Sequence, residues 1–106
     1  MILRLWRGWT TSEKAARYEE LIATAIFPGI AARAIAGLDG LELFRRPIES
    51  EVEFMTLMRF KSWEAVRISP VRTGRSRSCR QRRAALDRFD EKAAHYESRV
   101  ARPVND

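Results

Sequence analysis

Two segments of this chain are apolar on both faces of a predicted β-strand, and this feature limits the fold more than any other. The first, residues 2–9, places Leu3 and Leu5 on one face and Ile2 and Trp6 on the other, with the two-residue period of a strand. The second, residues 52–60, runs Val-Glu-Phe-Met-Thr-Leu-Met-Arg-Phe and alternates in the same way. Strands that are apolar on both faces belong at the centre of a sheet, where both faces are covered.

The segments between and after these strands alternate in type. Residues 15–26 carry apolar side chains at helical spacing and predict a helix, capped by Thr10 or Thr11 and interrupted at Pro28-Gly29. Residues 41–48 predict a second strand. Pro47 favours an edge position for it, because proline donates no hydrogen bond to a neighbouring strand.

The C-terminal half repeats the alternation. Ser62 is the expected N-cap of a second helix through residues 63–66. Residues 84–89 are helical in composition, and residues 93–101 alternate as a fourth strand.

The resulting order, β-α-β-β-α-β, predicts an α+β, ferredoxin-like fold with a four-stranded antiparallel sheet. One domain accounts for residues 1–106. The helices of this topology cover one face of the sheet, so the apolar side chains of the other face need a second cover. We expect that cover to be a second copy of the chain, in a homodimer whose sheets face each other.

Composition excludes several classes of protein. One cysteine, Cys79, excludes an internal disulfide framework and a cysteine-cluster metal site, and one histidine makes a structural zinc site improbable. There is neither a phosphate-binding loop nor a glycine-rich dinucleotide turn. No apolar run reaches the length of a membrane helix and no signal peptide is evident, so we expect a cytoplasmic protein without a metal or organic cofactor.

The net charge of +6 is concentrated in one stretch of the chain. Seven of the 20 basic residues are arginines in residues 67–83, which hold no acid; the rest of the chain has 13 basic and 14 acidic residues. A basic nucleic-acid-binding segment is one interpretation of residues 67–83. It is the weaker one, since no aromatic side chain lies there to stack on bases.

The chain resembles the antibiotic-biosynthesis-monooxygenase-like family of dimeric α/β barrels. The resemblance is carried by residues 2–8, the segment Ile26-Phe27-Pro28-Gly29-Ile30, and residues 40–46, 60–66 and 89–97. It implies a pocket between the sheet and helices of each protomer, where some relatives oxygenate polycyclic aromatic compounds without metal or flavin. Related haem-degrading enzymes use an asparagine near the end of the first strand, where this chain has Arg7 and Gly8, so haem degradation is disfavoured.

The resemblance breaks at residues 68–83. Relatives carry there a pattern such as Phe-Ala-Gly-Glu-Asp followed by Val-Val-Pro-Pro, and a shifted reading frame of a GC-rich message can restore it. We therefore interpret this Arg-rich, atypical segment as frameshifted, in the gene or in its recorded sequence, and expect it to be poorly ordered. The coding DNA across codons 66–85 tests this hypothesis.

One residue is the candidate catalytic group. His95 is the only side chain whose ordinary pKa lies near neutrality, so it could act as base or orienter for an acidic substrate; a structural hydrogen bond is the alternative. Arg7 could anchor an acidic group of the substrate, or pair with Glu53 or Glu97 at the barrel rim. The candidate pocket residues are Trp6, Tyr18, Phe60, Trp63 and, for its charge, Arg7; for the four aromatic residues core packing is the favoured alternative.

The leading functional hypothesis is therefore a cofactor-independent monooxygenase acting on a small aromatic or polycyclic compound. A non-catalytic, stress-associated or ligand-binding dimeric barrel is the alternative. Nucleic-acid binding through residues 67–83 is the third.

Overall fold

A computed structural model describes residues 1–69 and 77–104, with the backbone alone at residues 77–79. Its strands form one antiparallel sheet in the order β2-β3-β1-β4, with β5 also paired to β1. The strands are β1 (Ile2–Thr11), β2 (Leu38–Ile48), β3 (Glu51–Phe60), β4 (Arg88–Phe89) and β5 (Ala94–Glu97). The predicted α+β, ferredoxin-like fold is confirmed.

The two strands that are apolar on both faces, β1 and β3, lie at the centre of the sheet as predicted. They pair along their whole length, from Ile2 opposite Phe60 to Thr11 opposite Glu51. Strand β2, which contains Pro47, lies at the edge. The edge position predicted from Pro47 is therefore confirmed.

The fourth strand differs from the prediction. In place of one strand over residues 93–101, two short strands pair with different parts of β1: β4 lies opposite Gly8 and Trp9, and β5 opposite residues 2–5. Residues 88–89, predicted as helix, are strand. The interruption falls at Asp90, whose backbone N–H donates to the Arg7 carbonyl at 2.9 Å before the chain leaves β1.

The helices also differ in detail. Helix α1 (Ala15–Leu21), a π-helical segment (Ile22–Ile26) and α2 (Phe27–Ala32) follow one another without a break, so the predicted interruption at Pro28-Gly29 is wrong. Proline clashes with the carbonyl four residues earlier in a regular α-helix, and the wider π-turn just before Pro28 relieves that clash.

The predicted caps have opposite outcomes. Ser62 caps α3 (Trp63–Ile68), its Oγ accepting the Ala65 backbone N–H at 3.2 Å. The predicted cap at Thr10 or Thr11 is wrong. Both threonines belong to β1, and α1 begins after a turn in which the Lys14 N–H donates to the Thr11 carbonyl at 3.1 Å.

The Arg-rich segment contains more regular structure than its sequence pattern indicates. Residues 77–84 form helix α4 (Arg77–Ala84). Residues 70–76 lie outside the described part of the chain. The expectation that residues 68–83 are poorly ordered, and the frame hypothesis behind it, stay predictions.

The core lies between the helices and one face of the sheet, which we call the helix face. Even-numbered residues of β1 and β3 contribute to it because strand side chains alternate between faces. The opposite, outer face carries the odd-numbered residues. The core side chains include Ile2, Trp6, Tyr18, Ile22, Ile26, Ile30, Val52, Phe54, Met58 and Phe60.

Candidate ligand-binding site

An arginine–histidine pair lies within the apolar helix face. Arg4 and His95 are direct partners across β1 and β5, so their side chains leave the sheet on the same side. The Arg4 Nε–H donates to His95 Nε2 at 3.0 Å. Arg4 is buried, with 8% of its surface exposed.

Two contacts of Arg4 are with an aromatic ring and a thioether sulfur. Its guanidinium carbon lies 5.0 Å from the centre of the Phe60 ring, and its Nη1 approaches Met58 Sδ at 4.0 Å. A guanidinium over an aromatic face gains a cation–π attraction that partly offsets the loss of water. These neighbours hold Arg4 in the orientation that reaches His95.

The surroundings of His95 disfavour its protonated form. Partial burial, and then the positive charge of Arg4, hold the pKa of His95 below its ordinary value. The Trp63 ring, at the first position of α3, lies 6.1 Å from the imidazole, inclined at 42°. Trp63 is 42% exposed, so part of its ring is accessible from solvent.

Three of the other candidate pocket residues occupy the core. Trp6, Tyr18 and Phe60 are each at most 5% exposed. Tyr18 packs against Phe54 at 4.7 Å between ring centres, and the Trp6 Nε1–H donates to the Asp90 carbonyl at 2.8 Å. Phe60 lies beside the Arg4–His95 pair, its ring centre 5.0 Å from the Arg4 guanidinium carbon.

Arg7 lies apart from these residues, on the outer face. Its Nε and Nη2 donate to the two carboxylate oxygens of Asp90 at 2.9 and 3.2 Å, and this contact raises the pKa of Arg7. The partner is thus neither Glu53 nor Glu97. Glu53 instead accepts from Arg46 at 3.1 Å.

The outer face also carries a shallow cleft. It has a volume of about 300 Å³, and its walls include Arg7, Phe44, Glu53 and Met55. It is separated from His95 by the sheet.

Two arginines of the Arg-rich segment are directed into the protein. The Arg82 guanidinium lies 5.0 Å from the Trp6 ring and donates to Thr56 Oγ1 at 3.3 Å, and Arg83 lies 4.7 Å from the Phe89 ring. Side chains held in this way add little to a surface for nucleic-acid phosphates.

Metal ligands do not cluster in the part of the chain that the structure describes: no group of three or more His, Cys, Asp or Glu side chains could hold an ion there. Nor is any described helix long and apolar enough to cross a membrane.

Sequence reasoning missed Arg4, which is the central residue of this site. The signal was present, because Arg4 falls between Ile2 and Trp6 on the apolar face of a central strand. A charged residue in such a position has to be paired or functional.

Comparison of the whole structure with solved structures finds several that share its fold. A monooxygenase from the gene ActVA-Orf6 of Streptomyces coelicolor, solved with nanaomycin D, is 15% identical and superposes with a TM-score of 0.66 over 98% of this chain and 92% of its own. A Deinococcus radiodurans protein assigned to the antibiotic biosynthesis monooxygenases is 15% identical, with a TM-score of 0.62 over 100% of both chains. The chain has the fold of the antibiotic biosynthesis monooxygenases.

A third structure with this monooxygenase fold is SnoaB, a cofactor-independent oxygenase from Streptomyces nogalater. It is 14% identical, with a TM-score of 0.58 over 97% of this chain and 98% of its own. No family model and no curated protein sequence matches the chain. Likeness at this identity establishes the monooxygenase fold, and function has to be argued from the site.

Proposed function

We propose that this protein is a cofactor-independent oxygenase that binds a small aromatic or polycyclic compound beside His95. The observation that carries the proposal is the Arg4–His95 pair, set in an apolar layer next to the accessible ring of Trp63. Solved structures of the same fold, including SnoaB and the nanaomycin D complex, support it.

The proposed reaction inserts one oxygen atom of O2 into the substrate and reduces the other to water. A phenol or hydroquinone is first held as its anion, which passes an electron to O2. The phenoxyl radical and superoxide combine at a ring carbon, and the resulting peroxide takes from water the one proton that the phenol had released. Loss of water, formed from the outer peroxide oxygen, its hydrogen and the hydrogen of that ring carbon, then leaves a quinone. The reaction balances because each phenol ring loses two hydrogens, from C–H or O–H bonds, for each O2 that is consumed.

Each side chain has a stated part in this proposal. His95 orients the oxygen of the ionised hydroxyl, Trp63 offers a flat apolar surface for the ring, and Phe60 with Met58 keeps water from the Arg4 side. The apolar setting favours the reaction because it leaves few proton donors around the oxygen intermediates.

Oxygen uptake by purified protein with a panel of phenols and hydroquinones tests the proposal. We expect one O2 consumed per substrate, and a fall of at least about tenfold in kcat/KM for His95→Ala, the size of effect that loss of one hydrogen bond to a charged group produces. Ser98→Ala, exposed just past β5, is the matched control. No uptake with any member of the panel would contradict the oxygenase.

A non-catalytic ligand-binding protein is the second candidate. It is favoured by one observation: the Nε2 lone pair of His95 accepts a hydrogen bond from Arg4, which makes His95 better suited to holding a ligand than to removing a proton. Ligand binding without oxygen uptake would support it.

We further propose that the protein acts as a homodimer in the cytoplasm. Large apolar or aromatic side chains lie on the outer face, where Phe44 is 43% and Tyr96 57% exposed, beside Leu3, Leu5 and Met55. Covering them with a second outer face would remove apolar surface from water.

A further inference from the structure

The hydrogen bond between Arg4 and His95 determines which nitrogen of the imidazole carries the proton. Arginine stays protonated at every pH at which proteins fold, so Arg4 can only donate. Its Nε–H points at His95 Nε2 at 3.0 Å, and that nitrogen must therefore be bare. A neutral imidazole has one N–H, which consequently lies on Nδ1.

The fold holds this arrangement from three sides. Arg4 and His95 are directly opposite each other in the β1–β5 ladder. The guanidinium is packed on the Phe60 ring at 5.0 Å and near Met58 Sδ, and the imidazole lies near the Trp63 ring. A proton on Nε2 would face the Arg4 N–H as a second donor, and turning the ring over would replace the acceptor Nε2 with Cε1–H, so both alternatives lose the hydrogen bond.

We infer that Arg4 is a positioning residue that fixes His95 as an Nδ1–H donor. The site therefore selects the oxyanion form of an acidic hydroxyl over its undissociated form and over a methylated oxygen. A donor N–H beside a permanent positive charge, within an apolar layer, attracts an anionic oxygen strongly. A neutral hydroxyl cannot donate to the imidazole, because the acceptor nitrogen of the imidazole is already bonded to Arg4.

This inference rests on the proposed function for the location of the ligand, and it specifies the ligand further. The ligand arrives already ionised, and His95 stabilises that ion without accepting its proton. Acidic phenols and hydroxyquinones fit this requirement, whereas their methyl ethers do not.

A pair of probes of nearly equal shape tests the selection. Para-nitrophenol is measured above its own pKa, where it is the phenolate, and para-nitroanisole carries a methyl group in place of the charge. We expect the unaltered protein to bind the phenolate at least about tenfold more tightly, the ratio that one pKa unit of stabilisation represents. Equal affinities, or no binding of the phenolate, would overturn the inference.

Two matched variants separate the effect of Arg4 from the effect of any nearby positive charge on the preference for the phenolate. Arg4→Met keeps the length of the side chain and removes the donor, and we expect the preference to fall to within about threefold, below the worth of a charged hydrogen bond. Arg59→Met makes the same change on the outer face of the neighbouring strand, opposite Leu3, and should keep the full preference. Loss of preference in both variants, or in neither, contradicts the role of Arg4.

Two further results keep the test decisive. If Arg4→Met does not fold, the tautomer of the single histidine in the unaltered protein replaces it, and an Nε2–H tautomer overturns the inference. Oxygen uptake is read separately. A protein that prefers the phenolate but consumes no O2 supports anion selection and contradicts the oxygenase, whereas uptake without the preference contradicts anion selection alone.

Discussion

The ring centres of the His95 imidazole and the Trp63 indole lie 6.1 Å apart, with the ring planes inclined at 42°. A protonated imidazole quenches the fluorescence of a nearby indole more strongly than a neutral one does. Because burial and Arg4 hold the pKa of His95 below its ordinary value, we expect tryptophan emission to fall only when the pH drops below the usual range of histidine. Fluorescence titration measures this.

The control for this titration is Trp63→Phe, since the protein has three tryptophans. The variant should lose the pH-dependent part of the emission and keep the rest. A titration that survives unchanged in Trp63→Phe would assign it to Trp6 or Trp9 and remove the evidence for the Trp63–His95 contact.

The same lowered pKa gives the stability of the fold a pH dependence of known sign. His95 takes up a proton more readily in the unfolded chain than in the folded one, so the free energy of unfolding rises with pH between the two pKa values. The contribution is fully present above the ordinary pKa of histidine. It is lost as the pH falls through the lower, folded pKa.

Denaturant unfolding at a series of pH values, on the unaltered protein and on His95→Gln, isolates this effect. Glutamine can still accept from Arg4 but does not titrate. The difference in unfolding free energy between the two proteins should therefore change in this pH window, and a difference that stays constant would show that His95 titrates alike in both states.

Gly37 tests how the start of β2 is fitted against α3. Its φ is +80°, and a β-carbon there would collide with Cβ of Ala65. Gly37→Ala is expected to destabilise the fold by about 1–3 kcal/mol, from backbone strain together with the collision.

The matched control is Gly29→Ala, within α2, where a β-carbon meets nothing within 4 Å. It should stabilise the protein by about 0.5–1 kcal/mol, because alanine loses less conformational entropy in a helix than glycine. Thermal or denaturant unfolding of both variants measures the two shifts. Equal shifts would show that the contact with Ala65 is not tight.

The proposed dimer is tested on the outer face. Phe44→Glu adds a charge beside Met55, its partner across β2 and β3, and burial of an unpaired charge between two sheets is costly. We expect sedimentation at micromolar concentration to show a dimer for the unaltered protein and a monomer for this variant. Val100→Glu, on the 91% exposed chain after β5, should remain dimeric. A monomeric unaltered protein would refute the dimer.

The parts of the fold that sequence predicts well are those set by local alternation. The central strands β1 and β3 follow from apolar side chains on both faces, and the edge position of β2 follows from Pro47. The helix interruption predicted from Pro28 is wrong because the effect of this proline depends on the π-turn before it. No residue pattern in the sequence predicts that turn.

The parts that sequence misses depend on contacts between distant residues. The fourth strand is divided at Asp90 because that residue bonds to Trp6 and Arg7, more than 80 positions earlier. Arg82 packs on Trp6 in the same way. The Arg4–His95 pair joins the two ends of the chain, so alternation places each residue on a strand but does not show that they meet.

The tautomer and titration of His95 test the central claim of a neutral, Arg4-bound imidazole most directly. The chain has one histidine, so nitrogen NMR of the uniformly labelled protein shows a single imidazole. We expect the proton on Nδ1, a bare Nε2, a pKa below the ordinary histidine value, and a rise of that pKa in Arg4→Met. A proton on Nε2, or a pKa at or above the ordinary value, would contradict the account.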